Sequence, residues 1–467
     1  MSEQSPDAAP TPDPAPGGER ESTAGISRRG ALGIAGAAAA AGAGVGAVAM
    51  GMVERRERAD EAGADGALTS RTYDLRGEHQ QGVTTPAQDN LYIAAFDLTT
   101  TSRDDVVRLL QEWLVAAEQM SRGELVGGRP VEGPHVVPRD TGEAWNYPPS
   151  SLTITVGVGR GLFVDGDGND RFGLKDRMPQ VLDVGLPRFA NEALVDAQSY
   201  GDLVVQACAD DAQVASHAIR NLTRIAFGTA TLRWTQQGFG RTSSTSVAQE
   251  TPRNLFGFKD GTRNIKAEDS PDEQATHLWV QDGDDPAADW LAGGTYLVFR
   301  KIRMFLEVWD RLRLIEQEQT MGRDKEMGAP LSVTAPTAQA EFADPDFEAT
   351  ASEETATGGV VRAGNPLIPV DSHVHVVAPE NNDGARMLRR GYNYAAGNDS
   401  LGRLDSGLMF IAFVRDPRAG FYPILDRMTK DDALTEYLQH TATGVFAVLP
   451  GVGPTARMFG ESLVEDR

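Results

Sequence analysis

Three side chains in the C-terminal half are of the types that acid–base and metal chemistry need. Asp260 sits between two glycines in GFKDG (257–261), His373 lies in DSHVHVV (371–377), and Arg389 leads the arginine pair of MLRRGYNY (387–394). A histidine can be the axial ligand of haem iron, and an aspartate and an arginine on the opposite face are what peroxide cleavage requires. Each residue also has a plainer reading. Asp-Gly closes ordinary hairpins, and glycine lets backbone approach whatever lies beside it. Taken alone, His373 reads as a structural histidine, and only its company with GFKDG and LRRGY argues otherwise.

Other motifs point away from competing chemistries. DGDGND (165–170) alternates acids as a calcium loop would, but Asp170 stands where the helix-loop-helix pattern wants glycine and Asp176 where it wants glutamate. It reads as a solvated loop. No HExxH or paired Cys/His spacing suggests zinc, and there is no P-loop, no strand followed by GxGxxG and no GxSxG elbow. Of the remaining histidines, His217 falls in a helical pattern and His440 near a helix end, where packing or capping is the default. His79, ahead of the first strand, suits a site or a surface turn equally.

The elements that must position these residues repeat. DNLYIAAFDL reads as a strand, Arg103 to Met120 has helical spacing, SLTITVGVG and DLVVQACA read as strands, ASHAIRNLTRIAF as a helix and TATLRWTQQGF as a strand. The second half follows the same order: GTYLVFRKI as a strand running into a helix over RMFLEVWDRL, SGLMFIAFVRD as a strand, GFYPILDRM as a helix and GVFAVLPG as a last strand. The polar stretch from Glu316 to Val370 reads as a long loop. Two such sets predict an α+β duplication, each half an antiparallel sheet with helices on one face. The boundaries that follow are an N-terminal region 1–70, a first domain 71–250 and a second domain 251–467.

Charge and cysteine content narrow the partners. The 467 residues carry 44 Lys+Arg against 67 Asp+Glu, a formal charge of −23, which argues against nucleic acid or an anionic lipid surface. Cys208 is the only thiol, lies in an apolar run, and excludes an intramolecular disulfide. Residues 1 to 25 are rich in Pro, Ala, Ser and acids, and SRRGAL (27–32) then precedes an uncharged Gly/Ala run up to Met52. Paired arginines ahead of a weakly apolar segment resemble a twin-arginine export signal, which carries proteins already folded and loaded with cofactor. The expected location is extracellular, in the cell envelope or periplasmic. Ala47-Val48-Ala49 resembles a cleavage site, and the run also nears the ~20 residues that span a bilayer, so release and anchoring are both open.

In their order, the motifs resemble the dye-decolorizing peroxidase family, and within it the twin-arginine-exported deferrochelatase/peroxidase branch linked to iron uptake. The likeness runs from GEHQQGVTTP at Gly77 through NLFGFKDGT, GTYLVFRKIRMFLEVWDR, GRDKEMGAP, DSHV and MLRRGY to FAVLPG, and covers essentially everything after residue 70. The resemblance implies two ferredoxin-like domains with one haem b per chain in the second. It implies His373 as proximal ligand, Asp260 as distal acid, and Arg389, ahead of Arg390, as distal arginine. Gly261, Thr262 and Arg263 would meet the haem, and Leu408 and Phe410 would be apolar residues of the distal pocket.

The implied activity is oxidation of aromatic or dye-type reductants by hydrogen peroxide, with iron release from haem as a second role beside iron-uptake components. Tyr392, Tyr394 and Trp309 are sequence-near candidates for carrying electrons outward, and each also reads as a core aromatic. A non-catalytic haem carrier and a non-catalytic ferredoxin-like binding module are the alternatives; the oligomeric state stays open. Two positions depart from the branch. His375 stands where an arginine is usual, and if its segment is extended, both imidazoles face one side. Ala378-Pro379-Glu380 stands where Asn-Pro-Arg is more usual.

Overall fold

The apolar run NLYIAAFDL, buried on both faces from Ile93 to Phe96, forms β1 (Asn90–Leu98), and α1 (Arg103–Ser121) follows it. Ser102 caps α1 by accepting from the Asp105 amide, while Asp104 and Asp105 place negative charge at the positive end of the helix dipole. Strands β2 (Thr153–Val158) and β3 (Leu203–Ala209), helix α2 (Ala212–Ile225) and strand β4 (Ala230–Arg241) complete the first half. This computed structural model describes residues 70–128, 133–190, 192–337, 339–353 and 361–464. The twin-arginine segment lies outside the described residues. Among them no helix is long and apolar enough to cross a membrane.

The second half contains β5 (Thr295–Met304), α3 (Leu314–Met321), α4 (His373–Val377), β6 (Leu388–Arg389), β7 (Tyr392–Asn398), β8 (Leu404–Val414), α5 (Tyr422–Asp431) and β9 (Leu438–Val448). The first sheet has the order β2-β3-β1-β4 and the second β9-β5-β8-β7. These are the same order, since β5, β7, β8 and β9 take the places of β1, β2, β3 and β4. Every pairing between the strands is antiparallel, and the halves are duplicated ferredoxin-like units. Gly157↔Val448 joins β2 to β9, and Phe239↔Asn393 joins β4 to β7. The two sheets therefore close into one ring, which removes the open edges that either sheet would present alone. The expected boundary at 250 lies in the connection between β4 and β5.

Strand alternation sends one set of side chains into the ring and the other outward. Ile93, Ala95, Cys208, Leu297, Phe299, Tyr392, Tyr394, Met409 and Ile411 belong to one buried cluster, which fills the ring. Ala94, Phe96, Val205 and Ala207 instead pack on Trp113, Ile219 and other residues of α1 and α2. Cys208 is fully buried in the first of these clusters. On β5 the residues facing away from the ring include Arg300, Ile302 and Met304, and on β8 they include Leu408 and Phe410. That outward face, with α3, α4 and α5 near it, encloses the site.

Several local expectations are corrected. The helix expected over RMFLEVWDRL is a single turn, Leu306–Trp309, because Arg303 and Met304 continue to pair with Gln439 and Leu438 of β9. The stretch from Glu316 is not all loop. Glu316 bonds back to the Arg313 amide to start α3, and Gly322, at φ 80°, ends it in the left-handed region. His440 is not at a helix end but in β9, and His373–Val377 is helical, not extended.

Candidate functional site

Asp260 enters a cavity from a turn that is also a small hairpin. Arg253 and Lys259 form an antiparallel bridge, and Gly257 and Gly261 adopt φ of 82° and 78°, conformations that other residues resist. A Cβ at Gly261 would lie 3.1 Å from Ser243 Cα, so the glycine also allows close passage of the chain after β4. The hairpin reading and the carboxylate reading are both true: the turn is what aims the acid.

Arg389 Nη1 donates to Asp260 Oδ1 at 2.8 Å, and Asn254 Nδ2 donates to Asp260 Oδ2 at 3.2 Å. Asn264 holds the Arg389 backbone from both sides: its Oδ1 accepts from the Arg389 amide at 2.7 Å, and its Nδ2 donates to the Arg389 carbonyl at 2.8 Å. Both members of the ion pair line the cavity. Arg390 does not. It is fully buried, with its guanidinium on Val83 O, Thr85 O and Gln88 Oε1, and ties the segment before β1 to the second half.

His373 begins α4 and faces the same cavity. Its Nδ1 lies 2.7 Å from Asp432 Oδ2, and Asp432 Oδ1 accepts from the Leu434 amide at 2.9 Å. A carboxylate oxygen accepts, so Nδ1 carries the proton and Nε2 keeps its lone pair for a metal. His375 turns away, because two residues along a helix place side chains on different faces. It packs edge-on against Phe347, with ring centroids 4.8 Å apart, while Val374 and Val377 line the cavity beside His373. The segment is helical, so the extended backbone that would put both imidazoles on one side is absent here.

Gly261, Thr262, Arg263, Leu408 and Phe410 all line the cavity. Arg263 is already paired, donating to both carboxylate oxygens of Glu380, at 3.1 and 2.6 Å. Glu380, in the segment that departs from the branch, thus supplies an acid to an arginine of the site. Tyr392 and Tyr394 fill the ring, and Trp309 is fully buried with its ring centroid 4.3 Å from that of Phe256. His217 bonds the Asp140 carboxylate, and His79 stacks on Trp279 at 3.7 Å between ring centroids. Neither lines the cavity. Among the described residues, no cluster of histidines, cysteines and acids forms a metal site, DGDGND included.

Sequence reasoning missed Asp432, Asn264, Arg300 and His440. Asp432 follows another acid in KDDAL, and only its position capping the short turn Ala433–Tyr437 separates it from Asp431. Arg300 is buried in a bridge between Glu192 and His440 Nδ1. Desolvation and the Arg300 charge push the His440 imidazole down to about 3, so it is neutral at ordinary pH. An irregularity in pairing sets its direction. Lys301 opposes Ala442 but Ile302 opposes His440, so Thr441 is the extra residue of a bulge, and His440 faces the cavity with Ile302.

The donor set fits haem. One imidazole offers a bare Nε2, Ile302, Met304, Leu408, Phe410 and Leu425 give apolar walls, and an aspartate–arginine pair stands ready for proton transfer. Ferredoxin-like halves with this cavity in the second define a haem-dependent peroxidase. Residues 80–240 match the N-terminal domain, and residues 251–453 the C-terminal domain, of the Dyp-type peroxidases, and the chain belongs to that family. It is 35% identical to the deferrochelatase of Escherichia coli K12 over 83% of this chain and 86% of that one. It resembles the solved DyP-type peroxidase of Streptomyces coelicolor with a TM-score of 0.74 and 36% identity, covering 85% of this chain and 98% of the other. Ferric DtpA of Streptomyces lividans gives a TM-score of 0.73 at 36% identity, again over 85% and 98% of the two chains.

Proposed function

We propose that this peroxidase uses hydrogen peroxide to oxidise aromatic, dye-type reductants, with one haem b per chain held through His373. The observation that carries this reading is one cavity lined both by His373, whose Nδ1 is held by the buried Asp432 behind it, and by the Asp260–Arg389 pair. When bound, haem supplies an open iron position and the redox chemistry that reduces peroxide. Asp260 takes the proton from the near oxygen of hydrogen peroxide and returns it to the far oxygen, which leaves as water. Arg389 places a fixed positive charge beside the oxygen that gains electron density as the O–O bond breaks. Asn264 keeps Arg389 in position, and the Asp432 carboxylate orients His373.

The test is an absorption spectrum of protein produced with haem supply. A Soret band that peroxide shifts and an aromatic reductant restores is the expected result. No haem uptake would overturn the reading, and haem that is bound but inert to peroxide would favour a carrier.

Removal of iron from haem is a second reading, favoured by the name of the curated relatives. The same samples decide it, because iron-free porphyrin fluoresces and haem does not.

Export through the twin-arginine pathway belongs to the same proposal. It is supported by SRRGAL ahead of the Gly/Ala run and by a lone cysteine buried in β3. A reporter fused to residues 1–70 is expected to leave the cytoplasm and to stay there once Arg28 and Arg29 are both lysine. Unchanged export of the lysine variant would count against it. The size of the exported reporter separates a cleaved signal from a retained anchor.

A further inference from the structure

Lys266 is a buried cation outside the cavity wall, with no part in the proton transfers proposed for Asp260. It is 8% exposed, and among the described residues no carboxylate forms an ion pair with it. The acids that attract it are bonded elsewhere. Asp269 Oδ2 accepts from the Lys266 backbone amide at 2.9 Å, and Glu268 accepts from Ser246 Oγ at 2.5 Å and from the Val247 amide at 3.1 Å. What the ammonium holds is Ser244: Nζ donates to the Ser244 carbonyl at 2.5 Å and to Ser244 Oγ at 2.6 Å. Burial and the nearby Arg389 charge push Lys266 down to about 8.

A buried cation without a counter-ion is costly, so its retention points to something the charge secures. The Ser244 carbonyl is where two supports meet. Asn264 Nδ2 donates to the same oxygen at 3.0 Å and also to the Arg389 carbonyl at 2.8 Å, while Asn264 Oδ1 accepts from the Arg389 amide at 2.7 Å. Both backbone polar groups of Arg389 are thus met by one side chain, and that side chain is anchored on Ser244. A charged donor bonds roughly twice as strongly as a neutral one, and this one grips Ser244 by carbonyl and hydroxyl together. We infer that Lys266 is a positioning residue for the peroxide reaction: it clamps Ser244, Ser244 holds Asn264, and Asn264 sets where Arg389 stands against Asp260. This rests on the peroxidase reading above.

Amide exchange reads the clamp without turnover. In the full-length chain, hydrogen–deuterium exchange at the Arg389 amide is expected to be about 10-fold faster in Lys266→Met than in wild type, while the amides of β3 keep their rates. Lys266→Arg, which keeps the charge and its donors, is expected to restore slow exchange. Loaded with haem, Lys266→Met is expected to keep the Soret band and to react with peroxide about 10-fold more slowly. It should add nothing where Arg389 is already leucine. Unchanged exchange at Arg389 in Lys266→Met would overturn the proposal. So would faster exchange in β3 as well, which is what a general loosening of the fold produces, or slowing that multiplies with that of Arg389→Leu. Should Lys266→Met fail to fold, Lys266→Gln serves the same comparison. A wild type inert to peroxide would overturn the peroxidase reading, and the exchange rates would still decide whether the clamp exists.

Discussion

His373→Ala is expected to abolish haem retention, and with it the Soret band and all peroxidase turnover. His373 is the cavity-lining imidazole whose Nδ1 is committed to a buried carboxylate and whose Nε2 is bare. Alanine removes the ligand and also leaves Asp432 buried, bonded only through Oδ1 to the Leu434 amide. His375→Ala is expected to leave the Soret band in place, since that ring packs on Phe347 outside the cavity. Loss of haem from the His375 variant with retention in the His373 variant would reverse the ligand assignment. Asp432→Asn is the graded case. Partners that orient a metal-bound histidine typically change affinity by about 10- to 100-fold, so this variant should bind haem more weakly without losing it.

Asp260→Ala and Arg389→Leu should each keep haem and slow the reaction with peroxide by about 10²–10³-fold, measured as the rate of Soret change after mixing. The two residues act on one transition state from one ion pair, so the double variant should be little slower than either single one. Independent multiplication of the two effects would refute a shared role. A loss of haem in Asp260→Ala would show that the acid serves the fold of the 253–261 turn instead. The geometry favours the kinetic outcome. Asn264 holds the Arg389 backbone without help from Asp260, and the Asp260 amide is anchored on Pro252 O at 2.9 Å.

Much of this was legible without coordinates because period-two strands and 3.6-residue helices write their burial directly into the chain. β1, β3, β8 and α1 lie close to where their apolar patterns predict, and the repeated order of elements reveals the duplication. RMFLEVWDRL has helical spacing, yet pairing of Arg303 and Met304 with β9 holds the start of that stretch extended. The DSHVHVV segment shows the converse. Alternating valines look like a strand, but the Val376 amide donates to the Ser372 carbonyl and closes a turn of helix that packs near α5.

The chain by itself determined the duplicated α+β class and the three residues whose types can run peroxide chemistry. These are properties of residue identity and short-range periodicity, and both are local. Tertiary structure alone decided that Asp260 meets Arg389 and not Arg390, that Asp432 and not Asp431 holds His373, and that a bulge at Thr441 turns His440 toward the cavity. Each depends on which distant segments pack together once two four-stranded sheets close into a ring, and contacts between residues far apart in sequence leave no period to read.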